Sequence, residues 1–391
     1  MKKGIKIVGV FVICILAIVF LYSRMHVDYE AYSQKEKEKL QDNVESQEKV
    51  KIPSVYEKYV DEELNFKVQV MIEEAFDENE LYAATATVAK LDAQKIYDFL
   101  MKDKENVQQA EYDDQIDMEG NPSVLHVYES QSGDYLALQD TSVYYGKSPQ
   151  IDYIYNSFFA SADTEQYNAD NFSQISDLHF KSRERAWENL REDLINAGFD
   201  LTFAQVKGCY SLDAATLQKE ELCIDLDGSV IEEEQNPDWS KEDEGYYYYI
   251  GQQYAGLPIY ESYKVENELE SIETSPMRIF QTEEGLCEFA VDRWFLVECT
   301  EEKVELVSFE KIMKTIEEKY SGVINSNPLT VTQAKLYEYP VQTEKHTYTL
   351  IPVWICTLEE TLEDVDGGTY ISHIQIPINA VTGEEMSELE I

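Results

Sequence analysis

The strongest hydrophobic pattern lies near the start of the chain. Residues 7–22 read IVGVFVICILAIVFLY, an unbroken apolar run. Such a run is typical of a membrane-spanning helix, which needs about 20 apolar residues. Three lysines stand before it: Lys2, Lys3 and Lys6. They predict that residues 1–6 are a cytoplasmic tip and that the chain after the run lies outside the cytoplasm.

Two processing signals compete with an anchor at this position. A cleaved signal peptide needs small residues after the apolar run, where the chain reads FLYSRMHV. A lipoprotein signal needs small residues just before Cys14, where Phe11, Val12 and Ile13 stand instead. We therefore expect an uncleaved, single-pass signal anchor at residues 7–22 and a protein of the cell membrane with an extracellular C-terminal domain.

The next segment, residues 23–52, contains the stretch QKEKEKLQDNVESQEKVK, which mixes both charge signs and has no apolar period. This composition predicts a charged stalk. The alternative is a solvated helix face that belongs to the first folded unit.

From Pro53 onward, strand-like and helix-like periods alternate. In residues 53–160 we predict the strands NFKVQVMIE, LYAATATVAKL, VLHVYES and DYLALQDTSVYY. Between them lies one helix, DAQKIYDFLMKDK, with Asp92 as its N-cap. Its apolar stripe consists of Ile96, Tyr97, Phe99 and Leu100.

The same theme recurs twice. Residues 175–300 open with a helix capped by Ser182 and stopped by Gly198, and residues 301–391 open with one capped by Ser308 and stopped by Gly322. The apolar faces are formed by Ala186, Trp187, Leu190 and Leu194 in the first helix and by Phe309, Ile312, Met313 and Ile316 in the second.

Strands follow each of these two helices. They include LTFAQVKGCYSL, the hairpin signal Asp227-Gly228, MRIFQT, GLCEFAV, TQAKLYEYPV and YTLIPVWICTLEE. One amphipathic helix that covers an antiparallel sheet is a standard two-layer arrangement. The pattern therefore predicts an α+β fold: an N-terminal transmembrane helix, a stalk, and tandem units of one amphipathic helix packed on antiparallel sheets.

Composition and charge narrow the classes of partner. The chain has 391 residues, 43% hydrophobic and 12% aromatic, which suits two or three ordinary domains and is too aromatic for a disordered chain. Its formal net charge is -45. Such a surface repels nucleic acids and anionic lipid headgroups, so that residues 7–22 would be its one membrane contact. It is compatible with a cationic peptide.

A search for catalytic and metal-binding motifs finds none that is complete. The five histidines have no i, i+4 partner and no HExxH motif is present, so we expect no zinc site. Ser308 and Lys311 match S-x-x-K without its companion elements, and an N-cap explains Ser308 better. We therefore predict a protein that is not an enzyme, with no catalytic residues, no bound metal and no cofactor.

Two acidic groups permit weak calcium binding without the spacing of an EF-hand. One is formed by Asp225, Asp227 and Glu232–Glu234, and the other by Asp364 and Asp366. As Asp-Gly turns they need no ion.

The tyrosine run Tyr246–Tyr249 reads as strand. Because neighbouring side chains in a strand alternate between faces, we expect two rings in the core and two exposed.

A disulfide between Cys287 and Cys299 is possible. If GLCEFAVDRWFLVECT forms a hairpin with a three-residue loop at Asp292–Trp294, the two cysteines lie opposite each other. Opposed strand residues are about 4.5–5.5 Å apart at Cα, which a disulfide accepts. The alternatives are two free buried thiols, or a different hairpin in which GLCEFAV pairs with MRIFQT.

Two phrases resemble PepSY-type modules: INAVTGEEM at residues 378–386, and the aromatic stretch YYYIGQQYAGLPIYE, which precedes a Gly-x-Pro-Ile step. Anchor, stalk and tandem modules together are similar to YycH/YycI-type proteins of Gram-positive bacteria. That resemblance implies an anchored extracytoplasmic regulator of two-component signalling that contacts a sensor histidine kinase. It covers about the last 210 residues of the chain.

We accordingly expect a non-enzymatic interaction protein of the cell envelope that contacts a sensor kinase or another membrane protein's ectodomain. The alternative is an extracytoplasmic ligand-binding or peptidase-inhibitory module. A groove of about 300 Å³ or more with convergent polar groups would favour a ligand, and a flat, rimmed apolar patch would favour a protein partner.

Overall fold

The computed structural model describes residues 52–117, 121–148, 150–154, 164–221, 235–236, 238–264, 271–273, 276–321, 327–363 and 368–386. Residues Pro53–Ile391 form one compact unit. The protein is mostly β, with 50% strand and 19% helix. The predicted α+β class is therefore wrong, because long strands connect segments that the sequence pattern assigns to separate units.

The strands are, in chain order, β1 (Val55–Tyr59), β2 (Leu64–Met71), β3 (Tyr82–Val88), β4 (Gln108–Ile116), β5 (Pro122–Glu129), β6 (Asp134–Leu138), β7 (Val143–Lys147), β8 (Ala204–Leu212), β9 (Gly245–Tyr254), β10 (Leu257–Pro258), β11 (Ser262–Lys264), β12 (Ser271–Glu273), β13 (Met277–Thr282), β14 (Gly285–Val291), β15 (Phe295–Lys303), β16 (Leu329–Glu344), β17 (Thr347–Glu363) and β18 (Thr369–Asn379).

The α-helices of the described chain are α1 (Ala93–Leu100), α2 (Gln150–Tyr153), α3 (Thr164–Asn171), α4 (Arg183–Ala197), α5 (Ala214–Glu220) and α6 (Phe309–Tyr320). A short 3-10 helix spans Glu78–Glu80.

Two large sheets contain nearly all of these strands. Sheet 1 has seven strands in the order β1-β2-β16-β17-β3-β15, and β18 also pairs with β17. Sheet 2 has nine strands in the order β10-β9-β13-β14-β7-β6-β5-β4, and β8 also pairs with β9. A small separate pair is formed by β11 and β12.

The predicted tandem arrangement of units fails at the level of strand pairing. Strand β2 runs parallel to β16, with Leu64 opposite Leu329, and β3 pairs with both β15 and β17. Strands β4–β7 belong instead to sheet 2, where β7 pairs with β14. The segment predicted as the first unit is thus divided between two sheets that later parts of the chain complete.

The helices follow their sequence signals closely. The Asp92, Ser182 and Ser308 side chains each accept a hydrogen bond from a backbone N–H in the first turn, as predicted. Gly198 ends α4 in the left-handed region with φ 103°, whereas Gly322 lies outside the described residues. Both α1 and α4 cover one face of sheet 2, where Ile96, Leu100, Ala186, Leu190 and Leu194 join one core cluster.

Helix α6 packs on sheet 1. The Phe309 ring lies 5.0 Å from that of Trp354, and all four residues of the predicted stripe are buried. Lys311 Nζ donates to the Thr382 carbonyl at 2.6 Å, which fastens the turn that precedes Gly383 to the helix. Gly383 has φ 76°, as the predicted turn requires.

Strand β9 is buried on both faces. Tyr246 and Tyr248 belong to the cluster beneath α1 and α4, and Tyr247 and Tyr249 belong to the cluster on the opposite face of sheet 2. All four rings are at most 3% exposed. The expectation of two exposed rings is wrong, because the chain covers both faces of this strand.

The chain crosses from sheet 2 to sheet 1 between β14 and β15. The buried side-chain amide of Gln252 in β9 closes this crossing: its Nε2 donates to the Phe295 carbonyl and its Oε1 accepts from the Phe295 N–H, both at 2.7 Å. Next to it, Trp294 Nε1 donates to the Asp200 carbonyl at 2.9 Å, and Arg293 pairs with Glu261 at 2.6 Å. The hydrogen bonds and the ion pair of residues 293–295 therefore hold the chain in place where it passes from sheet 2 to sheet 1.

The described residues contain no helix long and apolar enough to cross a membrane. The predicted anchor at residues 7–22, the cytoplasmic tip at residues 1–6 and residues 23–51 of the predicted stalk lie outside these residues. The predicted localisation, a single-pass cell-membrane protein, is therefore not supported by the described residues.

We expect Gln252→Met to destabilise the fold strongly. The substitution keeps the length of the side chain but leaves the buried N–H and C=O of Phe295 without partners, at a cost of about 3 kcal/mol. Chemical denaturation followed by tyrosine fluorescence measures the change in the free energy of unfolding. The exposed Gln108 provides a matched control, and Gln108→Met should stay close to wild type. Equal stability of the two variants would contradict a structural role for the Gln252 amide.

Two carboxyl groups are buried in the sheets. Burial raises the pKa of Glu288 to about 7, although Arg278 and the Tyr247 hydroxyl offset part of that effect. Burial also raises the pKa of Glu338 well above its ordinary value, and Glu338 is 1% exposed. Both groups therefore hold a proton at pH values where a glutamate in the unfolded chain has lost it.

This protonation predicts a dependence of stability on pH. An unfolded Glu288 ionises near 4.5 and the folded one near 7, so its contribution is complete below the lower value and is lost as pH rises through the upper one. Between pH values of about 5 and 8, wild type should lose about 3 kcal/mol relative to Glu288→Gln. Thermal unfolding across this range measures the difference, and the exposed Glu57→Gln control should run parallel to wild type.

Candidate functional site

One face of sheet 2 is partly exposed over strands β4–β7, although Val127 is buried and Ile151 of α2 covers Gly146 there. Tyr112 lies directly opposite Leu125, Val127 opposite Ala137, and Ala137 opposite Tyr144. Directly opposed residues of paired strands point to the same face, so these side chains share one surface. The rings of Tyr135 and Tyr144 are in contact, with centroids 6.4 Å apart.

We call this surface the open face and define it by Tyr112, Tyr135 and Tyr144. The three side chains are 48%, 36% and 37% exposed. The opposite face of the same strands is covered, because Tyr128 packs there against Tyr97 of α1 with ring centroids 5.0 Å apart. Burial and the nearby Glu129 raise the pKa of Tyr135, so that its hydroxyl remains a hydrogen-bond donor at neutral pH.

Strand β4 forms the outer edge of sheet 2 beside the open face. It is the last strand in the order, and among the strands that the structure describes it pairs with β5 alone. Every residue of β4 is exposed except Gln115, which is half-buried. A strand in this position presents unpaired backbone N–H and C=O groups to solvent. Neither the edge nor the open face was predicted, because QQAEYDDQI has no hydrophobic alternation.

A cavity of about 300 Å³ lies between α1, α4 and the turn that joins β13 to β14. Its lining includes Lys104, Tyr145, Lys147, Gln281, Glu284 and Cys287. This volume reaches the lower limit of ordinary small-molecule sites.

Two lysines of the cavity lining are paired with acidic side chains. Asp134 is 1% exposed and accepts hydrogen bonds from Lys104 Nζ and the Tyr145 hydroxyl, both at 2.7 Å. Burial alone would raise the pKa of Asp134, but these bonds and those from two serines lower it. Lys147 lies 3.2 Å from Glu284. These two pairs neutralise the positive charges of Lys104 and Lys147 at the cavity.

The Cys287 thiol is not an activated nucleophile. It is 2% exposed, and burial raises its pKa although Thr282 and Lys147 act in the opposite direction. A raised pKa keeps the sulfur protonated, and the thiolate is the reactive form. The geometry of the cavity thus suits reversible binding of a small polar molecule better than covalent chemistry.

The predicted partners Cys287 and Cys299 lie in different sheets. Cys287 belongs to β14, which pairs with β13, so the alternative in which GLCEFAV pairs with MRIFQT is the one observed. Cys299 lies in β15 opposite Ala84. Both are free thiols, Cys287 buried and Cys299 exposed. The hairpin that would have opposed them does not form, because the chain changes sheet at Asp292–Trp294.

The histidines of the described chain each lie near acidic side chains. His179 Nδ1 is 2.6 Å from Glu244, and His126 Nδ1 is 3.4 Å from Glu111. Among the residues that the structure describes, no group of three or more His, Cys, Asp or Glu could hold a metal ion. Both acidic groups considered for calcium lie entirely outside those residues, since 222–234 and 364–367 are not described.

Comparisons with known proteins identify a similar fold but do not indicate a function. No family model and no curated protein matches the chain. A crystal structure at 1.45 Å resolution of an uncharacterized protein from Eubacterium rectale ATCC 33656 is similar, with a TM-score of 0.58 and 16% sequence identity. The match covers 86% of this chain and 94% of that one. At this identity the likeness shows a shared fold alone.

We expect the thiols to differ sharply in reactivity. In the native protein, iodoacetamide should modify Cys299 about tenfold faster or more than Cys287, since burial and a raised pKa both slow the reaction of a thiol. The buried Cys209 and Cys356 serve as internal controls and should react only after unfolding. Peptide mapping without reduction measures each site. A Cys287–Cys299 disulfide peptide would contradict the observed placement.

Proposed function

We propose that this protein is a non-enzymatic interaction module that binds a protein partner through the open face. The observation that carries the proposal is the exposed set Tyr112, Tyr135 and Tyr144 on a flat sheet surface. Tyrosine is enriched at the centres of protein interfaces, because its ring buries a large area and its hydroxyl remains able to form a hydrogen bond.

The surroundings of the open face also favour a protein partner. Flat surfaces with exposed apolar area are typical of protein contacts, while small ligands prefer concave sites. The neighbouring edge strand β4 adds unpaired backbone groups to the same region. The partner class implied by the PepSY-like and YycH/YycI-like resemblance, a sensor kinase, remains a prediction.

Binding of a small ligand is a second candidate function. One observation favours it: Gln281 lines the cavity, is 8% exposed, and its buried Oε1 has no hydrogen-bond partner among the described residues. A ligand with an N–H or O–H donor would satisfy that oxygen. The cavity is at the lower limit of size for such sites, so we place this function second.

Site-specific photo-crosslinking in the native host tests the proposed function. A benzophenone amino acid at Tyr135 or at Tyr144 should yield crosslinks to the same protein, because both positions lie on the open face. Tyr370, which is 52% exposed in β18 of sheet 1, is the matched control and should not yield that product.

Serine variants then test the energetics. Tyr135→Ser with Tyr144→Ser should weaken binding of the identified partner by about tenfold or more, since buried tyrosines carry a large share of interface energy. The same substitution at Tyr370 should leave the affinity unchanged. Crosslinks of equal yield from all three positions, or from none, would exclude the open face as the binding surface.

A further inference from the structure

The charge around the edge strand β4 has one sign. Between Lys104 and Lys147 the sequence contains no lysine or arginine, while it contains nine acidic residues. Three of these lie in β4 itself: Glu111, Asp113 and Asp114. All three are exposed. The edge of sheet 2 therefore combines unpaired backbone groups with three exposed carboxylates.

The faces of β4 differ in chemistry. Tyr112 lies on the open face, opposite Leu125. Glu111, its neighbour in the strand, points to the other face, since successive side chains alternate. The pairing with β5 is interrupted between Tyr112 and Gln115, so Asp113 and Asp114 lie at an irregularity. An added strand would meet an aromatic ring on one side and carboxylates on the other.

A second copy of this chain is a poor occupant of the edge. Pairing of β4 with another β4 would bring the carboxylates of Glu111, Asp113 and Asp114 close to their counterparts, and like charges across a strand pair are destabilising. A strand with lysine or arginine at alternate positions would instead place opposite charges there. Charge complementarity thus favours a basic strand over a second copy of β4 at this edge.

We infer that β4 accepts an extended basic segment of a partner protein as an additional strand of sheet 2. The segment alternates basic residues, which face Glu111, with apolar residues, which face Tyr112 and the open face. Main-chain hydrogen bonds to the edge supply affinity, and the alternating side chains supply specificity. This inference rests on the proposed function and names the part of the partner that β4 binds.

Strand β15, an edge strand of sheet 1, is an internal control for the edge strand β4. Strand β15 ends the order of sheet 1, and it also carries three exposed acids, Glu298, Glu301 and Glu302. It differs by including Lys303 and by lacking a neighbouring set of exposed tyrosines like that of the open face within the described chain. If diffuse attraction to an acidic protein were the sole effect, β15 and β4 would respond equally.

The experiment uses the full chain and a labelled peptide of about ten residues that alternates lysine and valine, a length that matches a strand. A second peptide has the same sequence with alternate backbone amides N-methylated, which keeps its charge but removes hydrogen-bond donors. Fluorescence anisotropy should show at least about tenfold weaker binding of the methylated peptide. Hydrogen exchange should slow in Gln108–Ile116 and remain unchanged in Phe295–Lys303.

Two protein variants remove the same three charges from different edges. Glu111→Gln with Asp113→Asn and Asp114→Asn should weaken binding of the unmodified peptide by about tenfold. Glu298→Gln with Glu301→Gln and Glu302→Gln should change it by less than about twofold. Thermal unfolding shows that both variants are folded.

Several results would overturn the inference: equal binding of both peptides, protection of β15 to the same extent as β4, no binding at all, or self-association of the chain through β4. If any of these results occurred while Tyr135 and Tyr144 still gave photo-crosslinks, the open face would remain the proposed binding surface. Only the addition of a strand at β4 would be contradicted. Absence of those crosslinks would remove the proposed function independently.

Discussion

The structure depends on a change of sheet in the middle of one short segment. Strand β14 ends in sheet 2 and β15 begins in sheet 1, with Asp292–Trp294 between them. At this point the chain leaves the strand pairing of sheet 2 before it enters that of sheet 1. The backbone N–H and C=O of Phe295 therefore need hydrogen-bond partners that neither neighbouring strand provides. The Gln252 amide supplies both. Since Gln252 lies in β9, the bond also fixes the position of this strand of sheet 2 relative to sheet 1.

Burial on both faces explains the other unusual features of sheet 2. Four consecutive tyrosines are accommodated in β9 because helices α1 and α4 cover one face and the Trp239 cluster covers the other. The same coverage places Glu288 away from water and keeps it protonated. Toward β4 the coverage ends on one side, and there the tyrosines become exposed. The open face is therefore the place where the second layer of the fold stops.

Local signals predicted helices α1, α4 and α6 well, missed α2, α3 and α5, and predicted the strand pairing poorly. A cap such as Ser308 acts within its own first turn, so its sequence is sufficient to place a helix start. Strand β14 pairs with its neighbour β13 and with the distant β7, whereas the predicted hairpin joined it to β15, because the sequence does not show that the chain changes sheet at Asp292–Trp294. The candidate site was missed for a different reason: β4 is exposed along nearly its whole length, so it carries no hydrophobic period.

Strand β2 has a consequence for how the protein is made. Its parallel partner β16 lies far along the chain, with Leu64 opposite Leu329. On the ribosome, the N-terminal strands of sheet 1 must therefore wait until most of the polypeptide has been synthesised before they find their neighbours. Contacts of such long sequence separation slow folding and leave strand edges unpaired in the nascent chain. The order of synthesis thus favours completion of sheet 2 before sheet 1, and it makes the early strands natural clients for a chaperone.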